Sequence, residues 1–194
     1  MQGEGQLNAR AADYRYRVEA SAQRVHEAGV QLASRAIVAA NHDWFQGARA
    51  FVYVRAALEH DRFKDIAQRA SVGAGGGVRV LDTARTELSL RTGFDVVSQH
   101  RIEAVDERYP ALGWSVEWSH WAIAARLQLF HNHEGLWNLR RSEALSLRSR
   151  SGLRVPITAG YTLNAQLNIE WERTAAPGRK PTDMSALIGA GFEW

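Results

Sequence analysis

The chain has 194 residues, about one domain's worth, with 45% apolar and 23% charged side chains, a balance that excludes wholesale disorder. Its longest apolar runs are five residues, such as Ala36 to Ala40 and Ala50 to Val54. A membrane-spanning helix needs roughly 20, so helical spans are excluded, and the absence of cysteine excludes disulfides, cysteine zinc sites and thiol catalysis. The net charge is +3, nearly all cations are arginine (Lys64 and Lys180 are the lysines), and no basic block exceeds Arg140-Arg141, which argues against a nucleic-acid partner.

Residues 1–12 are polar and read as a flexible leader, with no secretory signal expected in this chain; an exported form would have lost its own. Residues 13–194 read as one β-domain. Period two dominates it, and ten strands are expected: 14–24, 29–40, 47–59, 66–80, 84–97, 111–118, 123–132, 143–155, 160–172 and 184–194. The first two carry a rival helical spacing, Val18, Ala22, Val25, Gly29, Leu32, Ala36 and Ala40, in an alanine-rich stretch. The interleaving of Arg15, Arg17 and Glu19 with Tyr14, Tyr16 and Val18 favours strands. In 84–97, Leu88, Leu90, Phe94 and Val96 oppose Glu87, Ser89, Arg91 and Asp95; in 143–155, Leu145, Leu147, Leu153 and Val155 oppose Ser146, Arg148, Arg150 and Arg154. From Tyr161 to Glu172 the alternation is unbroken over twelve residues, and the last strand puts Met184, Ala186, Ile188, Ala190, Phe192 and Trp194 on one face. Links after strands two, four, six and eight are short, and those after three, five, seven and nine are mostly longer and polar: 98–110, 133–142 and 173–183. Short turns at one rim and long loops at the other are the habit of transmembrane barrels.

Alternation alone leaves open which face is buried. A soluble barrel hides the apolar face and could bind an apolar ligand there; an outer-membrane barrel turns that face outward and fills its lumen with polar groups. Mid-strand charges of both signs favour the second: Arg55, Arg69, Glu87, Arg91, Asp95, Glu117, Arg126, Arg148, Arg150 and Glu170 form a candidate lumen network. So do aromatics near strand ends, where hydrocarbon meets water: Tyr14, Tyr16, Trp44, Phe45, Trp114, Trp118, Trp121, Tyr161, Trp171, Phe192 and Trp194. The expected fold is therefore all-β, a closed up-and-down antiparallel transmembrane barrel of about ten strands.

The stretches Leu58-Glu59-His60-Asp61-Arg62-Phe63, Gly73 to Gly77, and Leu81-Asp82-Thr83-Ala84-Arg85-Thr86-Glu87-Leu88-Ser89-Leu90, with the ending Lys180-Pro181-Thr182-Asp183, resemble the uncharacterised salt-induced outer-membrane protein family. The resemblance covers about 47–97 and 143–194. It implies a bacterial outer-membrane barrel without established activity, with a name suggesting salt or osmotic stress. The terminal Gly189, Phe192 and Trp194 look like the signal read by the barrel-assembly machinery, although Leu187 stands where a polar residue is usual. The implied partners are outer-membrane lipid and that machinery, with an envelope protein partner left open.

Few residues suggest chemistry. His131 and His133 share a strand face and form a weak metal candidate beside Glu134; a polar rim explains them as well. His60-Asp61, and His100 with Glu103, could make acid–base pairs at the rim, as in a barrel enzyme acting on lipid or peptide, but no Ser–His or paired-Asp motif accompanies them. Arg62 is expected to brace the loop against Asp61 and Asp65. The run Gly73 to Gly77 lacks the Lys-Ser/Thr of a phosphate loop and reads as a bend or close approach within a strand. No catalysis and no cofactor are expected. The lumen charges admit a closed, salt-bridged barrel or a narrow pore, and packing of arginines inside about ten strands favours the closed form.

Overall fold

A computed structural model describes residues 2–27, 30–158, 160–174 and 180–192. Eleven strands form one antiparallel sheet in sequential order: β1 (Gln2–Arg10), β2 (Tyr14–Glu27), β3 (Val30–Gln46), β4 (Ala50–Asp61), β5 (Ile66–Asp82), β6 (Thr86–Arg101), β7 (Glu107–Ile123), β8 (Leu127–Asn138), β9 (Leu145–Thr158), β10 (Tyr161–Glu172) and β11 (Thr182–Phe192). The ten strands expected from the sequence are β2 to β11. The extra one, β1, lies in the stretch read as a leader, and its ladder on β2 runs from Gln2↔Gln23 to Arg10↔Arg15. Composition concealed it: Gly3, Gly5, Leu7 and Ala9 alternate with polar residues, but the first two have no side chain to register as apolar.

Among the described residues of 14–42 the rival helix does not form; they are strand, 14–27 and 30–42. The inward row of β2, Arg15, Arg17 and Glu19, pairs across to Asp43, Asn41 and Ala39 of β3, so period two prevails over alanine's helical preference. The strands run longer than expected, which shortens the loops: 98–110 shrinks to 102–106, and 133–142 to 139–144. This also draws Pro110 into β7 and Pro156 into β9, each near a strand end. One rim carries links 11–13, 47–49, 83–85 and 124–126 and the turn residue 160, with Gly47 (φ 76°) and Gly160 (φ 85°) supplying left-handed turn positions. The other carries 62–65, which holds a short 3₁₀ turn, Arg62–Lys64, then 102–106 and 139–144, with 173–174 and 180–181 at the ends of β10 and β11.

The sheet is strongly curled. Arg35 of β3 hydrogen-bonds Glu170 of β10, seven strands away, and Arg17 of β2 bonds Glu117 of β7, five away. Laid flat, seven strand spacings would separate the first pair by about 34 Å, beyond any side-chain reach. No ladder joins β1 to β11 among the described residues. The expectation of a ten-stranded closed barrel is thus corrected to an eleven-stranded curled sheet whose two edges are unpaired in the described ladders.

Burial is inverted relative to a soluble protein. Phe94, at 66% exposure, faces outward between Gly93 and Asp95, and Asp95 is 3% exposed. Asp43, Glu59, Asp61, Arg91 and Gln99 are buried, while Val38, Val52, Leu58, Val72, Val96, Leu163 and Ile188 lie on the outside. Apolar burial inside is confined to a few groups, chiefly Phe51, Tyr53, Ile66, Val97 and Ala111.

Candidate functional site

The concave face holds a charged interior assembled from nearly every strand. Near the long-loop rim, Glu59 of β4 accepts from Arg148 Nη2 of β9 at 2.6 Å, Arg69 Nη1 of β5 at 3.2 Å and Arg35 Nη2 of β3 at 3.2 Å. Glu170 of β10 takes the other arm of Arg35, and Lys64 Nζ at 2.6 Å. Lys64 sits in the link after β4, so this ammonium ties the rim to the far wall. Toward the short-turn rim, Asp43 of β3 receives both Arg91 nitrogens at 3.1 Å and Arg15 Nε at 2.8 Å. Arg17 grips Glu117 with two nitrogens, at 2.8 and 3.0 Å. Between these, Arg55 and Asp95 make a forked pair at 2.7 and 2.5 Å. Forked guanidinium–carboxylate pairing is the strong, directional form of a salt bridge and explains the preference for arginine over lysine inside.

The interior pairs balance. Arg15, Arg17, Arg35, Arg55, Lys64, Arg69, Arg91 and Arg148 meet Glu19, Asp43, Glu59, Asp61, Asp95, Glu117, Glu170 and Glu172 within 4.0 Å. An interior space of about 670 Å³ remains, lined by Arg17, Glu19, Asn41, Asn132, Arg150 and Asn168 among others.

Glycine makes room for this arrangement. A Cβ on Gly73 would strike the Asp95 carboxylate, and one on Gly113 would lie 2.7 Å from Asp95 Oδ2 and collide with the Arg55 guanidinium. Tyr53 Oη would lie 2.8 Å from a Cβ on Gly75 and 2.6 Å from one on Gly93. The run Gly73 to Gly77 is therefore a site of close approach inside β5, as its place in a strand suggested.

Of the ten charges proposed from sequence, Arg55, Arg69, Arg91, Asp95, Glu117, Arg148 and Glu170 join these pairs, and Arg150 lines the remaining space. Glu87 and Arg126 do not belong: both are exposed beside short turns, at the start of β6 and just before β8. Sequence reading missed Asp43, Glu59, Arg15, Arg17, Arg35 and Lys64 as network members. For Arg15 and Arg17 the signal was present in the alternation of β2; Asp43 and Glu59 were hidden because the expected strands ended near them.

His131 and His133 sit on the outward face of β8 with parallel rings 6.4 Å apart, and His131 Nδ1 lies 2.7 Å from Ser151 Oγ. No group of three His, Asp or Glu suited to a metal occurs among the described residues. The rim histidines are drawn into bracing: His60 Nδ1 donates to the Ala67 carbonyl, and His100 pairs with Asp106 at 2.7 Å rather than with Glu103. Asp106 also accepts from the Arg101 amide, and this hydrogen bond, with that from His100, holds its carboxyl below the ordinary value. Asp65, the residue expected to meet Arg62, instead accepts from the Glu103 and Ala104 amides. Outside, Tyr14, Tyr16, His42 and Trp44 cluster near the short turns, with His42 4.0 Å from Tyr16 and 3.9 Å from Trp44 between ring centroids. Phe45, grouped with them from sequence, turns inward beneath the Arg79 guanidinium at 4.8 Å. Gly189 lies in β11; Trp194 and the Phe192 side chain, the rest of the expected assembly signal, fall outside the described residues.

A model of the family described as "Protein of unknown function, DUF481" matches residues 1–194, and the chain belongs to that family. No curated protein matches it significantly. Among solved structures the fold is similar to one titled "NanC porin structure in rhombohedral crystal form", with TM-score 0.65 and 11% identity over 100% of this chain and 93% of that one. It is also similar to a "Bacterial polysaccharide outer membrane secretin", with TM-score 0.53 and 12% identity over 100% and 69%. A third, "Structure of porin refined at 1.8 Angstroms resolution", has TM-score 0.50 and 10% identity over 96% and 60%. At these identities the likeness is one of fold.

Proposed function

We propose that this protein is a bacterial outer-membrane β-barrel with a structural role in the envelope, its lumen closed by salt bridges. The inverted burial carries the reading. Val72, Phe94 and Ile188 project from the convex face, while carboxylates and guanidiniums are buried on the concave one. In water that arrangement exposes apolar surface and desolvates charge, both unfavourable; in a bilayer the outer face is satisfied and the inner charges pair. The aromatic cluster near the short turns suits a hydrocarbon–water boundary, and the porin-like fold supports the same location. Its partners on this reading are outer-membrane lipid and, during biogenesis, the barrel-assembly machinery. A salt or osmotic role is compatible with the closed lumen and rests on the family resemblance.

Closure of the lumen is supported by where the pairs run. Arg148–Glu59 and Arg35–Glu170 strap the β3–β4 wall to β9–β10, and Arg17–Glu117 straps β2 to β7. Selective pores carry rings of one sign, whereas these charges are balanced. The residual space of about 670 Å³ favours, as a second reading, a narrow weakly selective pore. Detergent dependence tests the membrane assignment: the purified chain should aggregate without detergent and be monodisperse in it, and monodispersity in plain buffer would refute the assignment. Planar-bilayer recording separates the two lumen readings, since steady single-channel steps would refute closure.

A further inference from the structure

The interior pairing has a break. Among the described residues, Arg150 of β9 and Glu134 of β8 make no ion pair within 4.0 Å and no side-chain hydrogen bond, although both line the remaining space. The cause lies in the opposite wall. Arg148 reaches across the lumen to Glu59 at 2.6 Å. Two residues nearer the short-turn rim β9 carries Arg150, and the same step along β4 from Glu59 brings Ala57. Arg150 therefore stands across from a methyl group, where Arg148 meets a carboxylate. Ala57 is flanked in its ladders by Ala39 and Ser71, so small side chains hold that wall back and leave the chamber of about 670 Å³ open. Glu134 is stranded by the same strap: its ladder partner on β9 is Arg148, which is committed to Glu59.

We propose that this chamber binds a small zwitterion of the α-amino-acid class, its carboxylate on Arg150 and its ammonium on Glu134. This rests on the membrane-barrel reading above and takes the residual space of the lumen as the site. A bound carboxylate supplies what Ala57 lacks, and the guanidinium fork receives it in the manner of the interior pairs. Asn132 and Asn168, the ladder neighbours of Arg150, add amide donors beside that fork. Glu134 stands diagonally from Arg150 across the β8–β9 ladder, a spacing of about 7–8 Å at the backbone, which lets the two long side chains converge on groups borne by one carbon. The two charges cancel. An anion alone would leave Glu134 unmatched and a cation alone would leave Arg150, whereas a zwitterion matches both. No aromatic ring lines the chamber among the described residues, so a quaternary ammonium finds no cage. Glu134 and its other ladder neighbour, Ser115, instead offer acceptors to N–H groups. Ile37, Ala39 and Ala57 give the facing wall an apolar patch for the ligand's side chain.

Equilibrium dialysis of the detergent-folded chain against radiolabelled L-leucine tests this. Saturable binding is expected. Isovalerate, which lacks the ammonium, and isopentylamine, which lacks the carboxylate, should each compete ~tenfold or more less effectively than unlabelled leucine. Arg150→Gln and Glu134→Gln should each weaken binding by ~tenfold or more, and because neither breaks an existing pair, the urea midpoint should hold. Ala57→Glu places a carboxylate across from Arg150 and should abolish binding without lowering that midpoint. Absence of saturable binding to the parent chain would overturn the inference and leave a chamber of water. So would equal competition by isovalerate, which marks a plain anion site, or by isopentylamine, which marks a cation site. Unchanged binding in Arg150→Gln, or in folded Ala57→Glu, would overturn it as well. Failure of the membrane reading shows separately, as monodispersity without detergent.

Discussion

Replacing Glu59 by Gln removes a carboxylate on which three arginines from three strands converge. Glu59 is 6% exposed. The amide keeps the shape and one acceptor but loses the charge. Arg35 retains Glu170, Arg69 retains Gln99 at 2.8 Å, and Arg148 retains Glu170 at 3.9 Å. The loss is therefore smaller than stripping three cations bare. Breaking a buried pair costs about 3–5 kcal/mol, and a single charge-assisted hydrogen bond is worth about 1.5–3. With the retained partners, about 3 kcal/mol is expected, a factor of ~100 in the unfolding constant. Urea unfolding of the reconstituted protein, followed by tryptophan fluorescence, measures it. Glu87→Gln, at the exposed start of β6, is the control and should stay within about 0.5 kcal/mol of the parent. If Glu59→Gln also fell within that margin, the straps would be decoration, and the argument for a salt-bridged lumen would fail.

On the convex face, Val72→Arg places a charge at a position 64% exposed. A soluble surface would tolerate it within about 0.5 kcal/mol, whereas a lipid-facing site near the bilayer middle should lose about 2–4 kcal/mol in vesicle-based unfolding. Gly113→Ala drives a Cβ into the Arg55–Asp95 pair and should cost about 1–3 kcal/mol; in an Arg55→Ala background the cost should shrink, and a double-mutant cycle with no coupling would refute the contact. The lowered Asp106 carboxyl gives the 102–106 loop a pH dependence. Because folding favours its charged form, its contribution is present above the ordinary carboxylate pKa and is lost as pH falls through the lowered value. Proteolysis of that loop should accelerate below about pH 4, and Asp106→Asn should abolish the dependence.

How much of this was legible in sequence depends on whether a residue's role is local. Alternation is a local property, so β10 could be read from Tyr161 to Glu172 with its bounds intact, and β6 revealed that Arg91 and Asp95 share a face. Strand ends are set by ladder partners, which explains why β6 and β8 outran their expected limits and why Asp43 and Glu59 escaped notice. The choice of partner is less local still. Arg17 and Glu117 are 100 residues apart, and only the curl of the sheet brings them together. Glu87 and Arg126 obey the same alternation as true interior charges; they fail because they stand at turns, where facing inward no longer means being buried.

The balance of the interior ties the composition to the fold. Eight cations meet eight carboxylates in the interior pairs, so these pairs contribute nothing to a chain charge of +3. A lumen of one sign would repel itself in a low-dielectric wall and need ions or water to persist, as an open pore does. A neutral lumen of forked pairs needs neither. The same logic predicts that reversing Arg17→Glu with Glu117→Arg should retain most of the stability lost by either single change, because the pair is neutral in both orders. Arg91, 3.5 Å from Glu117, would then face a cation and limit the rescue. Full recovery in the double variant would mean that Arg91 takes no part in the strap; no recovery at all would mean that the position of each charge, rather than their neutrality, holds the wall closed.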